Sequence, residues 1–599
     1  MLRLPRAEPD MSAAGTLSPS SRVDRTLIVG AVIVLFSISY ALARFPGLEW
    51  HTGYRGCAYK ALHPESFPGD PYMTNQSPIR LSSYYVLVRL VGNLWLDDRF
   101  TFFVYLCLVV LALVCVDKTA QYFGAKRVGD RLLVISLMAI GHGFRDNIGD
   151  IVTSADLYAG TFAGVAGIWC IYFALSGARL WRLVGCLVLS WSLNVRWAWF
   201  PSVIALTIVA RERLSSRQQR GLLVALVFSL LAGLLAYTRW LAPPHRAQFF
   251  DYLVRFDNSE ADPFLDKPIA NVKYWLLLGA GLLMTPLAKS AARQVRMIAV
   301  IGASLWIFGG LYMNYSPEFL KVPPLVLLGF NRATQWPQYV LFLSIAVGVV
   351  SRMRRARFSK QLLLLTVLLV LYATFDSLKL AKVGLVFCAV FLTSCWVERL
   401  ASRRGSGTRA IGWSGQWDLA KLAALTFLLT TLLVHSRTII KRYPYLVYLA
   451  RHGVVGDNPS AKWVGIDDYI RTHTPPDAII LPIATYDYPW RMGLAYDTSL
   501  KTRSGRSVPI GHPVSVWFDY EKLQQEEVRR HHLERLMAAW GKRDLDVVRG
   551  ELAYFKVGYL VVENSEAAWL RGQPLEYLVQ ISLGNFTVFR RKDLPPTVS

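Results

Sequence analysis

Charge is scarce in this chain, and acid is the scarcer half: of 599 residues only 18% are charged, with 41 Asp and Glu against 66 Lys and Arg. A soluble domain carries about 25% charged residues, so the shortage excludes an ordinary soluble protein of several domains. Cysteine is equally thin. All seven except Cys57 fall in apolar segments and no CxxC pair occurs, which excludes a disulfide framework and a cysteine zinc site. The P-loop, the GxSxG elbow, HExxH, and GxGxxG following a strand are all missing, so the common soluble-enzyme chemistries have no anchor here.

What the chain has instead is apolar length. Hydrophobic residues reach 53% and mean hydropathy is +0.32. Thr26 to Ala43 runs without a charge, long enough to cross a bilayer as a helix, and similar stretches recur down to about Val434. The net charge of +25 sits in short clusters between those stretches. That pattern fits cytoplasmic loops lying against anionic lipid and argues against nucleic acid as a partner.

Arg3, Arg6, Arg22 and Arg25 precede the first span and place the N-terminus in the cytoplasm, with residues 1–25 expected to be disordered. Without a small-residue cleavage site after Ala43, the first helix reads as a retained anchor. Residues 44–99 form a large first outer loop, in which 81–96 can lie along the interface. Spans follow at about 100–116, 132–143 and 157–175. Residues 184–210 must then leave and re-enter the cytoplasm, although Asn194 and Arg196 interrupt them. Two short helices meeting near Asn194–Trp199 satisfy the charge rule, and such broken helices line cavities. Later spans are expected at 221–238, 273–287, 297–314, 334–350, 361–375, 381–397 and 420–436. The membrane domain is thus 26–440, of about 11–13 helices, and an odd count puts the C-terminus outside.

From about Asp457 the pattern changes. Asn458-Pro459-Ser460 reads as a helix start, Ala478–Pro482, Tyr559–Glu563 and Phe586–Arg590 as strands, and Glu521–Trp540 as an amphipathic helix carrying Leu523, Val528, Leu533, Leu536 and Trp540 on one face. Residues 457–599 therefore form a small extracytoplasmic α/β domain. The fold class is mainly α, a polytopic transmembrane bundle with that domain attached.

Polar groups at the outer boundary are the candidates for chemistry. Asp70 stands in His63-Pro-Glu-Ser-Phe-Pro-Gly-Asp-Pro-Tyr72, where it either completes a tight turn or offers a general base at a fixed height above the membrane. His142, Arg145, Asp146 and Asp150 cluster at the outer end of the third span, either as local ion pairs or as a cation or polar-group site, with no metal specified by their spacing. Arg332, in Asn331-Arg332-Ala333-Thr334, suits a lipid phosphate or snorkels to headgroups. Arg196, in the broken hairpin, pairs with an outer-loop carboxylate or faces the cavity. Trp490-Arg491 and Trp517 are surface contacts or core of the soluble domain.

Together these features resemble the C-type (GT-C) glycosyltransferase superfamily, and within it a family of bacterial multi-spanning proteins. The resemblance is carried by His63–Tyr72, by Asn331–Thr334, and by Trp463-Val-Gly-Ile-Asp-Asp-Tyr-Ile-Arg471 with Thr474-Pro-Pro-Asp-Ala478. It implies a bacterial inner-membrane protein that takes a hexose or pentose from a polyprenyl-phosphate-linked donor. Asp70 would then be the acceptor base, Asp146 or Asp150 the second-loop acid, and Arg332 the donor-phosphate ligand. A lipid-linked sugar would be the co-substrate, a divalent cation is compatible, and membrane lipid and the polyprenyl-phosphate sugar donor are the expected partners. The superfamily's commoner paired acids are absent around Asp70. Two other functions fit the same sequence: a non-catalytic protein of envelope-polysaccharide assembly, and a transporter or flippase for a lipid-linked substrate. The latter predicts an internal repeat, and the sequence shows none.

Overall fold

The first uncharged run forms a helix because nothing in it competes with backbone hydrogen bonding. In the computed structural model, helix α1 spans Pro19–Arg44 and so starts ahead of Thr26, with proline in the first turn where its missing N–H costs nothing. The structure describes residues 19–45, 54–67, 70, 83–139, 159–212, 221, 289–315, 335–353, 419–455, 459–483, 499–509 and 520–595. The expected spans at 221–238, 273–287, 361–375 and 381–397 lie outside them, apart from Gly221.

The loop expected on the outer side contributes α2 (Tyr54–Leu62), α3 (Ser83–Val91) and a 3-10 turn (Gly92–Leu96). Asp97 then caps α4 (Asp98–Tyr122) by accepting from Arg99 N at 2.8 Å. Helix α5 (Val128–Ala139) returns against it, and Arg131 donates to both oxygens of Asp117 at 2.7 and 2.6 Å where the two helices meet. Helices α6 (Ala159–Ser176), α7 (Leu180–Leu193) and α8 (Val195–Glu212) pack on one another, followed by α9 (Lys289–Tyr315), α10 (Gln335–Met353) and α11 (Leu419–His452).

The expected break is present. Asn194 is extended (φ −158°) between α7 and α8, and Trp191 Nε1 donates to Ser202 Oγ at 2.8 Å, eleven residues on. A continuous helix would hold those residues about 16 Å apart, so the chain folds back on itself here. Its tip meets the first outer loop, where Ser192 Oγ lies 2.9 Å from Ser83 Oγ.

Among the described residues three helical stretches are long and apolar enough to cross a membrane: Thr26–Arg44, Asp98–Tyr122 and Ala291–Tyr312. Leu27, Ile28, Val34, Leu35 and Leu111 turn outward, as lipid-facing positions do. Helix α10 is the centre, with every residue from 335 to 350 buried. Helix α11 runs on past the expected end at 436 to His452, through Pro444, and so carries the chain out to the next domain.

That domain is a four-stranded sheet between two helical layers. Its strands are β1 (Ile480–Ile483), β2 (Tyr559–Glu563), β3 (Tyr577–Leu583) and β4 (Phe586–Arg591), in the order β1-β2-β4-β3. Only β1 and β2 are parallel. On one face Tyr559, Val561, Phe586 and Val588 pack with Trp463, Ile466 and Ile470 from a 3-10 turn (Pro459–Trp463) and α12 (Ile466–His473), and with Leu500 of α13 (Ser499–Ser504). On the other, Leu560, Val562 and Phe589 meet α14 (Tyr520–Lys542), α15 (Leu545–Tyr554) and α16 (Asn564–Arg571). Cover on both faces is why β2 reads Tyr-Leu-Val-Val without polar alternation. Leu533, Leu536 and Trp540 of α14 are buried as expected, whereas Val528 is 51% exposed because it lies beyond the sheet-facing half of the helix.

Among the described glycines of the membrane helices, Gly167 of α6 makes the closest approach to its neighbours. A Cβ there would sit 2.5 Å from the Trp336 ring of α10 and 3.0 Å from Pro201 of α8. Small residues allow such approach where lipid supplies no hydrophobic drive. Gly167→Val is expected to cost about 2 kcal/mol by overpacking, read as a lower unfolding temperature in detergent; an unchanged temperature would show that the three helices have slack there.

Candidate functional site

The cleft beneath the C-terminal domain is built from two stretches remote in sequence, Tyr59 to Asp97 and His452 to Arg503. Helix α2 presents Tyr59, and the turn after it presents His63, whose Nε2 lies 3.1 Å from Asn93 Oδ1. Asp97 stands at the entry to α4, held by Arg99 Nε at 3.0 and 2.9 Å. The end of α11 supplies His452, Gly453 and Val454, and α12 supplies Asp467, Asp468 and Arg471. Arg503 of α13 pairs with Asp467, and Arg471 with Asp468. Together they enclose about 500 Å³.

Backbone geometry explains why the walls stay in place. Asp98 is fully buried; its N–H donates to Gly453 O at 2.9 Å and its Oδ2 accepts from Val455 N at 3.3 Å. Gly453 has φ +67°, and a Cβ on it would meet Asp97 Oδ1 at 3.0 Å, so only glycine fits this helix end. The start of one membrane helix is thereby locked to the end of another.

Asp70 lies deeper. Lys501 Nζ donates to its Oδ1 at 2.7 Å and stands 2.6 Å from its Oδ2, and neither side chain has any exposed surface. Lys501 also donates to Val508 O at 3.4 Å. The turn leading to Asp70 is held by Ser66 N to His63 O (3.0 Å) and Asp70 N to Phe67 O (3.2 Å), with Phe67 at φ +57°. Phe67 N reaches Gly505 O at 3.4 Å, and a Cβ on Gly505 would stand 2.9 Å from the Tyr59 ring. Beside it Arg506 donates to Thr474 Oγ1, Thr474 O and Arg471 O at 3.1, 2.8 and 2.6 Å. Burial pushes the Arg506 guanidinium below its ordinary value, and Tyr59 opposes that shift.

Of the residues singled out in the sequence, the structure thus places Asp70 in a closed ion pair and His63 at the cleft. In this arrangement Asp70 cannot touch an acceptor unless the loop and the C-terminal domain part. Arg196 falls in the first turn of α8, next to the break. His142, Arg145, Asp146, Asp150, Arg332, Trp490, Arg491 and Trp517 lie outside the described residues. Among the described residues no group of three or more His, Cys, Asp or Glu side chains could hold a metal ion. Sequence reasoning missed Asp97, Asp467, Asp468, Arg471, Arg503 and Lys501 as site residues. Asp97-Asp98 before an apolar run signals a helix start, and two consecutive acids closing the first outer loop are a usable sign.

Fold and cleft define a multi-pass membrane protein in which the loop after α1 docks into an appended α/β domain. No family model matches the sequence, and no curated protein matches it. Among solved structures it is similar to ArnT from Cupriavidus metallidurans, at 11% identity over 95% of this chain and 98% of that one, with a TM-score of 0.40. It is also similar to the arabinofuranosyltransferase AftD from Mycobacteria, at 14% identity over 94% of this chain, with a TM-score of 0.43; the match spans 41% of AftD's length. Overlaps this loose carry nothing about substrate or mechanism.

Gly505→Ala is expected to cost about 2–3 kcal/mol, part from the left-handed backbone and part from overlap with Tyr59. In the Tyr59→Ala background the overlap is gone, so the same change costs only about 1 kcal/mol. Equal losses in both backgrounds, measured by unfolding of the full chain, would separate Gly505 from the loop contact.

Proposed function

We propose that this protein is a membrane glycosyltransferase of the GT-C kind, moving a hexose or pentose from a polyprenyl-phosphate-linked donor to an acceptor on the face that carries the C-terminal domain. One observation supports it above the rest. Two of the passages that resemble the superfamily, His63–Tyr72 and Trp463–Arg471, meet at the same polar cleft although they are remote in sequence. A sugar presents hydroxyls in many directions, and a lining of carboxylates, guanidinium groups and imidazoles can both accept from and donate to them. The break at Asn194 lies against the same loop, and broken helices suit the passage of an apolar donor tail between helices.

In the proposed reaction Asp97 takes the acceptor hydroxyl's proton as the acceptor oxygen bonds to the anomeric carbon. The bond from that carbon to the phosphate oxygen breaks, and the polyprenyl phosphate leaves with the electron pair. Arg332 neutralises the leaving phosphate. Asp146 or Asp150 is the second acid, and a divalent cation would sit with them; His142, Arg145 and Arg196 complete the cavity. Asp70 positions the loop through Lys501, and becomes the base in place of Asp97 if the pair opens during turnover. The N-terminus is cytoplasmic and residues 457–599 are extracytoplasmic, in a bacterial inner membrane.

The closure of Asp70 on Lys501 favours one competing reading, a non-catalytic assembly protein whose cleft binds a saccharide without turning it over. The experiment is transfer in proteoliposomes from a panel of polyprenyl-phosphate hexoses and pentoses labelled in the sugar. We expect label transfer with one donor, reduced at least about a hundredfold by Asp97→Asn, which keeps the helix cap but removes the base. Donor binding with no turnover by the unaltered protein would sink the transferase and leave the assembly reading.

A further inference from the structure

A second cavity lies at the other end of the bundle. Helix α4 starts at Asp98, against the C-terminal domain, and Lys118 is twenty positions along it, about 30 Å away at helical rise. There Lys118 lines a cavity of about 660 Å³ with Trp169, Tyr172 and Phe173 of α6 and Trp181 and Arg182 of α7. The aromatic rings form one wall, Trp169 lying 5.7 Å from Tyr172 and 5.4 Å from Phe173, and Arg182 lies over the Trp181 ring at 5.3 Å. No carboxylate is among the described residues lining it. The cavity continues onto an apolar stripe of α7, where Leu180, Trp181, Val184 and Val188 are 55%, 65%, 43% and 63% exposed. These spacings put the four on one side of the helix.

We infer that this cavity binds an anionic phospholipid, with its phosphate at Lys118 and Arg182 and its acyl chains along the Val184–Val188 stripe. Three independent features converge on that occupant. Two cations without a lining carboxylate attract a negative headgroup, and basic pockets between membrane helices bind such headgroups. Trp and Tyr sit at the headgroup level of a bilayer, where an apolar body and a polar edge are both satisfied. The adjoining stripe is apolar surface at membrane depth, which acyl chains cover and a soluble ligand would not. The charge pattern of the sequence puts this end in the cytoplasmic leaflet, away from the proposed transfer site, so the inference stands whether or not that reaction occurs.

Two variants remove the site in different ways. Lys118→Ala with Arg182→Ala deletes the charge. Gly185→Leu keeps the charge but fills the cavity, since nothing lies within 4 Å of a Cβ at this lining glycine. The full-length protein is purified from nanodiscs holding phosphatidylglycerol and phosphatidylcholine in equal parts, and retained lipid is counted by native mass spectrometry. We expect the unaltered protein to retain phosphatidylglycerol, each variant to lose it on the order of tenfold, and phosphatidylcholine to be unchanged. Millimolar inorganic phosphate should not displace the lipid. Equal retention by either variant with an unchanged unfolding temperature would overturn the site, and displacement by inorganic phosphate would overturn the lipid as its occupant.

Discussion

The contact between Asp70 and Lys501 sets the arrangement of the loop after α1 against the C-terminal domain. It joins a turn in the first outer loop to a helix in the C-terminal domain, across 431 positions of chain, with both charges wholly enclosed. Removing two charges from water is expensive, and only close geometry recovers it, so such a pair specifies an arrangement more than it adds stability. Once it forms, Tyr59 lies against Gly505, Phe67 N reaches Gly505 O, and the turn at His63 comes to face α12. The cleft is the space left between these contacts.

A second lock works beside it through the backbone. Asp98, at the start of α4, bonds to Gly453 O and Val455 N at the end of α11, and Asp97 beside it leaves room at Gly453 for glycine alone. Asp98 is fully buried, whereas Asp97 keeps an edge in the cleft. Of the three acids, Asp97 is the one that lines the cleft, while Asp70 is closed on Lys501. At the opposite end Asp117 and Arg131 hold α4 to α5, so the helix that carries Asp97 is fixed at both ends.

Much of the fold was legible because it follows from local rules. The apolar runs marked α1, α4, α6, α9 and α10, and the charge rule together with Asn194 marked the break between α7 and α8. Continuous apolar strands marked β1, β2 and β4. Strand β3 was not legible: it is an edge strand, and an irregularity between Val579 and Ile581 spoils its alternation. The length of α11 was missed because Arg437, Lys441, Arg442 and Pro444 look like a loop, whereas the helix runs through all of them to His452. Asp70 was visible as a polar residue in a rigid turn. Its partner was not, since Lys501 carries no local sign that distinguishes it from any surface lysine, and pairing across domains is a property of the folded chain alone.

The most direct test is a double-mutant cycle on that pair, using Asp70→Asn and Lys501→Met in the full-length protein and reading unfolding free energy. Each single change strands one buried charge and is expected to cost about 3–5 kcal/mol, while the double variant, with neither charge present, should cost no more than either alone. Strictly additive losses would contradict the account, because they would mean that the loop and the C-terminal domain are held together by something else.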